Sequence, residues 1–329
     1  MAQLITQFEK ACSNVEPDAE DIANAAEAHA AIRDVLDNHP DLVVKGIDTV
    51  LIGSYKRHVS IRRVKDVDVL SRTDGLDMTA PEALDLFEQI LCHEDAFGED
   101  RVERQDRSIK IGFPDYNLDV DAVPARPAGE YWEIPDRGAT WTKTNPEKLT
   151  TLSSTINGTF DGLYVPIVKL IRQSRRANLD RRPGGFYFEI LTYHAFNNGL
   201  DGDNLPTLFV AAMRSVADQL AEVVNGGDVE DPTMPGEYIT VRVTDAQLLA
   251  AARKFAALAD KAEGALGNDD LCGSALAFRE VLGKNSDDEW VFPMPASCND
   301  DGTRKAVATV SSTATAGDQD VPAGNRRFA

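Results

Sequence analysis

Apolar residues recur at helical spacing in two early segments of the chain. Residues 17–40, PDAEDIANAAEAHAAIRDVLDNHP, start with a proline and acidic residues, continue as an alanine-rich run and end at His39 and Pro40. Acidic residues favour the first turn of a helix and a proline stops one, so this pattern predicts a long helix. PEALDLFEQILCHEDAF (81–97) has apolar residues at the same spacing behind a proline, which predicts a second helix.

Short β-branched or alternating segments predict strands. IDTVLI (47–52) is apolar and β-branched, and KDVDVLS (65–71) alternates polar and apolar residues. RVERQDRSIKIGF (101–113) and YNLDVDAVPA (116–125) predict further strands, the last of them ending at Pro124. The later part of the chain is predicted to be mostly helical, over residues 146–157, 161–179, 185–198, 206–225 and 245–265.

This order of elements predicts an α+β half followed by a helical half. We place the boundary near residue 145, which divides the chain into 1–145, with a first helix able to pack on both halves, and 146–300. Residues 301–329 are small and polar without periodicity, which predicts a flexible C-terminal tail.

Composition and charge narrow the function classes. The 329 residues, 43% of them hydrophobic, can bury two cores, and a formal net charge of −20 argues against stable binding to DNA, RNA or an anionic membrane. The N-terminal sequence resembles no leader peptide, and no run of about 18 apolar residues occurs. Four widely separated cysteines suggest neither a zinc site nor a disulfide framework. We therefore expect a cytoplasmic protein.

Any site for phosphate must be local in so acidic a chain. Two basic clusters qualify: KRHVSIRRVK (56–65), and Lys169 together with RQSRRANLDRR (172–182). The alternative for either cluster is an ordinary solvated face.

The candidate chemistry lies in LIGSYKRHVSIRRVKDVDVL (51–70). Successive side chains of a strand point to opposite faces, so Asp66 and Asp68 share one face while the intervening valines face the core. Paired carboxylates suit magnesium, and a Gly53–Ser54 turn lets backbone N–H groups approach phosphate oxygens. A later strand offers Asp119 or Asp121 as a third carboxylate. Taken singly, each piece is more often a turn or a solvated surface; the strand context makes the combination specific.

The pattern GSY, ten residues, DVD, and later DAVPA resembles the polymerase-β-like nucleotidyltransferase superfamily. More narrowly, it resembles the oligoadenylate synthetases and the cGAS/DncV-like nucleotidyltransferases. WTKTNPEKL (141–149), VPIVKLIRQSRRAN (165–178), GGFYFEILTYHAF (184–196) and the weaker DPTMPG (231–236) point the same way, so the resemblance spans about residues 20–265. It implies a polymerase-β-like catalytic domain, a mixed sheet with helices, followed by an α-helical oligoadenylate synthetase-like domain.

The resemblance also implies roles for individual residues. Asp66 and Asp68 become ligands of two Mg²⁺ ions, with Mn²⁺ as an alternative, and Asp121 becomes the third carboxylate, with Asp119 as its alternative. Five residues are implied to contact the nucleotide: Gly53 and Ser54 at the phosphates, Lys169 and Arg172 as added positive charge, and Phe186 stacked on the base. The alternatives are a solvated helix face for the two basic residues and a core position for Phe186. Gly185 and Ser174 depart from the family pattern.

The implied activity is template-independent synthesis of cyclic di- or trinucleotide second messengers from NTPs in bacterial antiphage signalling. The alternatives are a linear oligonucleotide synthase, a nucleotidyltransferase acting on RNA ends or a small molecule, and a degenerate nucleotide-binding regulator. The tail ends in RRFA, and the resemblance implies a further partner, an E1/E2-like conjugation system acting at Ala329.

Overall fold

The computed structural model describes residues 4–137, 139–180 and 182–306. Within them, a half built on a mixed sheet precedes a helical half, which confirms the predicted fold class. The strands are β1 (Ile47–Ile52), β2 (Asp66–Thr73), β3 (Val102–Arg104), β4 (Ile109–Phe113), β5 (Leu118–Ala128), β6 (Tyr131–Asp136) and β7 (Thr140–Thr144). The helices are α1 (Ile5–Val15), α2 (Ala19–Asn38), α3 (Pro40–Val43), α4 (Gly53–Lys56), α5 (Ala80–Cys92), α6 (Pro146–Thr159), α7 (Tyr164–Asn178), α8 (Gly185–Asn197), α9 (Leu205–Val224), α10 (Asp245–Gly267) and α11 (Leu271–Leu282).

The sheet brings the two Asp-bearing strands side by side. Its strand order is β1-β2-β5-β4-β3, with β6 paired to the far end of β5 and β7 to β6. Strands β2 and β5 run parallel, and the register sets Asp66 opposite Asp119 and Asp68 opposite Asp121. Because directly opposite residues project to the same face, the four carboxylates share one face of the sheet.

The other face of the sheet carries the first core. Val67, Val69, Val120 and Ala122 are fully buried there, among side chains of α2 and α5 such as Phe87. The strict alternation along β2 and β5 therefore fixes the direction of the aspartates, since a slip of one residue would place them in the core.

A second core holds the helical half together and includes α1. The Phe8 ring lies 5.5 Å from that of Phe209, 4.8 Å from that of Phe278 and 5.1 Å from that of Phe292. Helix α1, for which the sequence analysis makes no prediction, thus joins the helices that follow the sheet. None of the helices in the described ranges is both long and apolar enough to cross a membrane.

Strand β5 does not end at Pro124, as predicted, but continues to Ala128. On one side it pairs with β4 as far as Ala122, and with β6 from Arg126 onward. Pro124 lies where the strand changes partner. A proline, which lacks an N–H, is tolerated at such an interruption of the ladder, so the prediction of a strand end was wrong.

The expectation of no disulfide is also wrong. Cys272, at the start of α11, is bonded to Cys298. The pairing was not predictable from the sequence. A separation of 26 residues does not show that the chain folds back and brings the two cysteines together. The sequence analysis assigned residues 301–306 to the flexible tail. In the structure Arg304, within this range, forms an isolated antiparallel β-bridge with Cys298. The rest of that tail, including Ala329, lies outside the described residues.

Candidate active site

The carboxylate face of the sheet opens onto a cavity of about 630 Å³ that is closed on its other side by α7 and α8. Asp66, Asp68 and Asp121 line it from β2 and β5. The other predicted site residues that line it are Gly53, Ser54, Arg172 and Phe186. The fold thus brings together residues that are up to 133 positions apart in the chain, between Gly53 and Phe186.

Gly53 is in contact with Asp68. Its φ is +74°, and a Cβ added to it would lie 1.9 Å from Asp68 Oδ2. No side chain fits at that distance, and an L residue adopts such a φ only with strain. The Gly-Ser step at the end of β1 is therefore required for the Asp68 carboxylate to lie against the turn.

Burial and mutual repulsion make ionisation of these carboxylates costly. Burial raises the pKa of Asp68, and the charge of Asp66 raises it further, against the opposing effect of Arg57. Burial and then the charge of Asp68 raise the pKa of Asp121 to about 6, although a hydrogen bond from Ser108 opposes the shift. Clustered carboxylates of this kind are stabilised in the ionised form by a bound cation.

Asp119, the alternative third carboxylate, is paired with a lysine of β4. Its carboxylate forms an ion pair with Lys110 Nζ at 2.6 Å, and it is not among the residues that line the cavity. Asp121 lines the cavity, and its Oδ1 accepts a hydrogen bond from Ser108 Oγ at 3.1 Å. Asp119 lies opposite Asp66 in the register and its charge raises the pKa of Asp66, but of the two candidates only Asp121 lines the cavity together with Asp66 and Asp68.

The chemical type of the three candidate ligands suits a hard divalent cation. Asp66, Asp68 and Asp121 supply carboxylate oxygens, the ligands that Mg²⁺ prefers, and burial, with the charges of neighbouring carboxylates added to it, raises the pKa of all three. As the side chains stand, no three His, Cys, Asp or Glu residues of the described ranges are grouped closely enough to hold a metal ion.

Lys169 and Arg172, both predicted to face phosphate, have different surroundings. Arg172 lines the cavity, whereas Lys169 does not. The Lys169 ammonium is buried and forms an ion pair with Glu16, just beyond the end of α1. The basic residues along α7 thus do not all face the same way, and Arg175 and Arg176 lie at the cavity with Arg172.

Phe186 is 47% exposed and lines the cavity, so it is not a core residue. Ser54 also lines it, and its Oγ lies 3.0 Å from Ser60 Oγ. The DPTMPG turn reaches the same cavity through Asp231 and Thr233, where Asp231 Oδ1 accepts hydrogen bonds from the Thr233 N–H at 2.8 Å and its hydroxyl at 2.6 Å.

Sequence reasoning missed Glu189 as a site residue, and it included Arg57 only as one member of the basic cluster 56–65. Both line the cavity, and both are buried. Burial disfavours the charged form of Arg57, but the Glu189 carboxylate outweighs it and the net pKa of Arg57 is raised. A single acidic residue within the apolar helix GGFYFEILTYHAF was the available indication, since a buried carboxylate requires a cationic partner.

Comparison with known proteins supports the same interpretation of the carboxylate half. Residues 2–157 match the model of the Second Messenger Oligonucleotide or Dinucleotide Synthetase domain, a range that includes Asp66, Asp68, Asp119 and Asp121. A curated relative, the cyclic AMP-AMP-AMP synthase of an Acinetobacter species, is 28% identical over 306 residues, covering 88% of this chain and 86% of the relative.

Solved structures share the fold of most of the chain. Escherichia coli CdnC, in a complex with HORMA-deltaN, superposes with a TM-score of 0.67 at 17% identity over 86% of this chain and 98% of its own. Bradyrhizobium diazoefficiens CdnG, in complex with GTP, gives 0.67 at 18% identity over 85% and 96%. Vibrio cholerae DncV with 3′-deoxy GTP gives 0.64 at 12% identity over 84% and 93%.

Proposed function

We infer that the chain is a cGAS/DncV-like nucleotidyltransferase, which joins NTPs through phosphodiester bonds and closes the product into a cyclic di- or trinucleotide. The observation that carries the proposal is the pairing of Asp68 with Asp121 across parallel strands, beside Asp66 and against Gly53, at the wall of one cavity. A protein that only binds nucleotides has no need of three acids on one cavity wall.

We propose ATP as the first substrate to test. The curated relative described above is a cyclic AMP-AMP-AMP synthase, and its similarity covers 88% of this chain, which includes parts of both halves. The exposed ring of Phe186 at the cavity supports a purine base stacked on it, because a large flat base gains most from such a contact. The setting we propose is bacterial antiphage signalling in the cytoplasm.

Asp66, Asp68 and Asp121 would hold two Mg²⁺ ions, or Mn²⁺ in their place. When bound, such ions supply charge neutralisation and Lewis-acid activation for phosphoryl transfer. The chain's own contribution is to keep three carboxylates on one face of the sheet, where Lys110 only partly offsets the raised pKa of Asp66 and Asp121 and Arg57 that of Asp68.

The remaining residues would bind and orient the reactants. The backbone of Gly53 and the hydroxyl of Ser54 lie where the β- and γ-phosphates are expected, and Arg172 adds positive charge from the opposite wall. Asp121 Oδ1 accepts from Ser108, which leaves Oδ2 to accept the proton of the attacking ribose hydroxyl. Positioning of this kind supplies much of the rate acceleration in phosphoryl transfer.

The test is incubation of the purified protein with ATP, and separately with all four NTPs, in Mg²⁺ or Mn²⁺, followed by phosphatase treatment and mass spectrometry. We expect a phosphatase-resistant cyclic oligonucleotide that contains AMP. A linear 2′–5′ or 3′–5′ oligomer identifies a linear synthase instead, and transfer of AMP to added RNA or to a small acceptor identifies the other transferase alternative. Absence of any product with any NTP overturns the proposal.

A further inference from the structure

Glu189 forms a buried ion-pair network at the wall of the cavity. It lies in α8 and is 1% exposed. Arg57 donates to it through both arms of the guanidinium, from Nε to Oε1 at 2.6 Å and from Nη2 to Oε2 at 3.1 Å. Arg172 donates from Nη1 to the same Oε2, also at 3.1 Å. One carboxylate therefore holds two guanidinium groups next to each other.

The two arginines come from opposite sides of the site. Arg57 directly follows the short helix α4, which begins at Gly53, on the sheet side of the cavity. Arg172 lies on α7, in the helical half. Glu189 thus fixes the distance between a cation beside the Gly-Ser turn and a cation on the opposite wall.

Stability alone does not account for this network. Replacing a buried ion pair or triad by well-packed apolar residues is often neutral or stabilising, because the charges must be stripped of water. Two guanidinium groups meet one carboxylate within the network, and the other carboxylate that acts on both of them is Asp68, at the carboxylate face of the cavity. When Asp68 holds a metal ion, as proposed above, the positive charge of the arginines is available to an anion.

Arg172 has hydrogen-bonding capacity that the protein leaves unused. Its Nε is buried and has no hydrogen-bond partner within the described ranges. A buried N–H without an acceptor is costly, and here it belongs to a side chain that lines the cavity.

Gly185 makes room for this guanidinium. A Cβ added to Gly185 would lie 3.2 Å from Arg172 Nη2 and 3.3 Å from its Cζ. These distances are shorter than ordinary van der Waals contact. Glycine at the start of α8 therefore leaves the space that the arginine side chain of α7 occupies.

We propose that Glu189 is a positioning residue, which holds Arg57 and Arg172 side by side so that Arg172 offers its free N–H group to the phosphates of a bound NTP. The proposal rests on the proposed function only for the identity of the ligand, and it concerns binding rather than the chemical step. Glu189 acts through the arginines and does not itself contact the phosphates, because a carboxylate would repel them.

The test is a double-mutant cycle read out by ATP binding. The dissociation constant of ATP in the presence of Mg²⁺, under conditions of no turnover, is measured by calorimetry for the native protein, Glu189→Gln, Arg172→Met and the double variant. We expect Glu189→Gln, which keeps the shape but loses the charge, to weaken binding about tenfold, the scale of one hydrogen bond to a charged group. In the Arg172→Met background the same change is expected to have no further effect.

A merely structural role gives a different pattern. In that case Glu189→Gln lowers the melting temperature without changing the dissociation constant, or weakens binding equally in both backgrounds, and either result overturns the inference. Gly185→Ala serves as the second variant if Glu189→Gln does not fold: it crowds the Arg172 guanidinium, leaves Glu189 intact and is expected to weaken ATP binding only while Arg172 is present.

The same data separate this inference from the proposed function. If the native protein binds ATP and the cycle behaves as expected but no oligonucleotide forms under turnover conditions, the proposed function fails and the positioning role stands. If cyclic product forms and the cycle is additive, the reverse holds. If the native protein does not bind ATP, the cycle is measured with the NTP that gives product; native protein that binds none of the four NTPs overturns both.

Discussion

Gly53 and Asp68 are in such close contact that a side chain at position 53 would displace the Asp68 carboxylate. The Asp68 carboxylate occupies the position where a Cβ of residue 53 would project, 1.9 Å away. Gly53 also has a φ of +74°, so both its backbone conformation and its contact with Asp68 favour glycine at this position. The turn that is expected to receive phosphates is thereby tied to a carboxylate that is expected to bind metal.

Gly53→Ala is expected to reduce the rate of product formation about 100-fold or more, because displacement of a site carboxylate by an ångström has effects of that size. Gly129→Ala is the matched control: Gly129 has a φ of +72°, and nothing lies within 4 Å of an added Cβ. Both variants incur backbone strain of about 1 kcal/mol. Equal activity of the two variants in a product assay would show that the Asp68 contact does not matter.

Much of the fold was predictable because amphipathic patterns are local. The helix over 17–40, the strands at 47–52 and 65–71 and the fold class were all inferred from periodicity and its end signals. Helix α1 was not, although Phe8, Ala11 and Val15 recur at helical spacing. Strands β6 and β7 were missed because YWEIPD and TWTKT are short and partly exposed, so no alternation stands out.

The site residues also differ in how far local sequence patterns predict their positions. Asp66, Asp68 and the Gly-Ser turn occur in one strand–turn–strand pattern, so their proximity followed from local structure. Asp121 lies on a later strand, and its place beside Asp68 depends on the parallel pairing of β2 and β5. The division of the α7 basic residues did not: the direction of each side chain depends on how the helix is rotated against α1 and α8. That rotation buries Lys169 against Glu16 and turns Arg172 to the cavity, and no local pattern encodes it.

Asp66→Ala/Asp68→Ala is expected to abolish product without destabilising the fold. A raised folded-state pKa means that the ionised form of a carboxylate is disfavoured in the folded protein, so at pH 7 the removal of Asp66 and Asp68 relieves repulsion. In the absence of divalent cations the melting temperature of the double variant is expected to equal or exceed that of the native protein. Turnover retained by this variant would falsify the metal assignment.

Asp121→Asn and Asp119→Asn separate the two candidates for the third carboxylate. If Asp121 accepts the proton of the attacking hydroxyl, Asp121→Asn lowers the turnover rate about 100-fold to 10,000-fold, the range for loss of a general base. ATP binding largely persists in that variant through Asp66 and Asp68. Asp119→Asn loses an ion pair with Lys110 outside the cavity, so we expect little change in rate. A larger loss in Asp119→Asn reverses the assignment.

Loss of the bond between Cys272 and Cys298 is expected to lower stability without altering nucleotide affinity. The bond closes a loop with a sequence separation of 26, and loops of that size are worth about 3 kcal/mol in free energy of unfolding. Neither cysteine lines the cavity. Urea unfolding of Cys272→Ser/Cys298→Ser, compared with native protein with and without reductant, measures the difference. Identical curves in all three samples contradict the prediction, and peptide mapping of unreduced protein identifies the bonded pair directly.

Lys169→Met and Arg172→Met distinguish two basic residues that lie on one helix, three positions apart, and that the sequence alone assigns to the same role. Lys169 is buried against Glu16 and does not reach the cavity, so Lys169→Met is expected to leave the KM for ATP within about twofold of native. Arg172 lines the cavity and has a free N–H, so Arg172→Met is expected to raise KM about tenfold or more. Methionine keeps most of the aliphatic length in both variants, which isolates the loss of charge. Steady-state kinetics at saturating Mg²⁺ measure both values, and the melting temperature of each variant shows whether the fold is intact. A rise in KM for Lys169→Met as large as that for Arg172→Met would mean that α7 turns its Lys169 face to the nucleotide when ATP is bound.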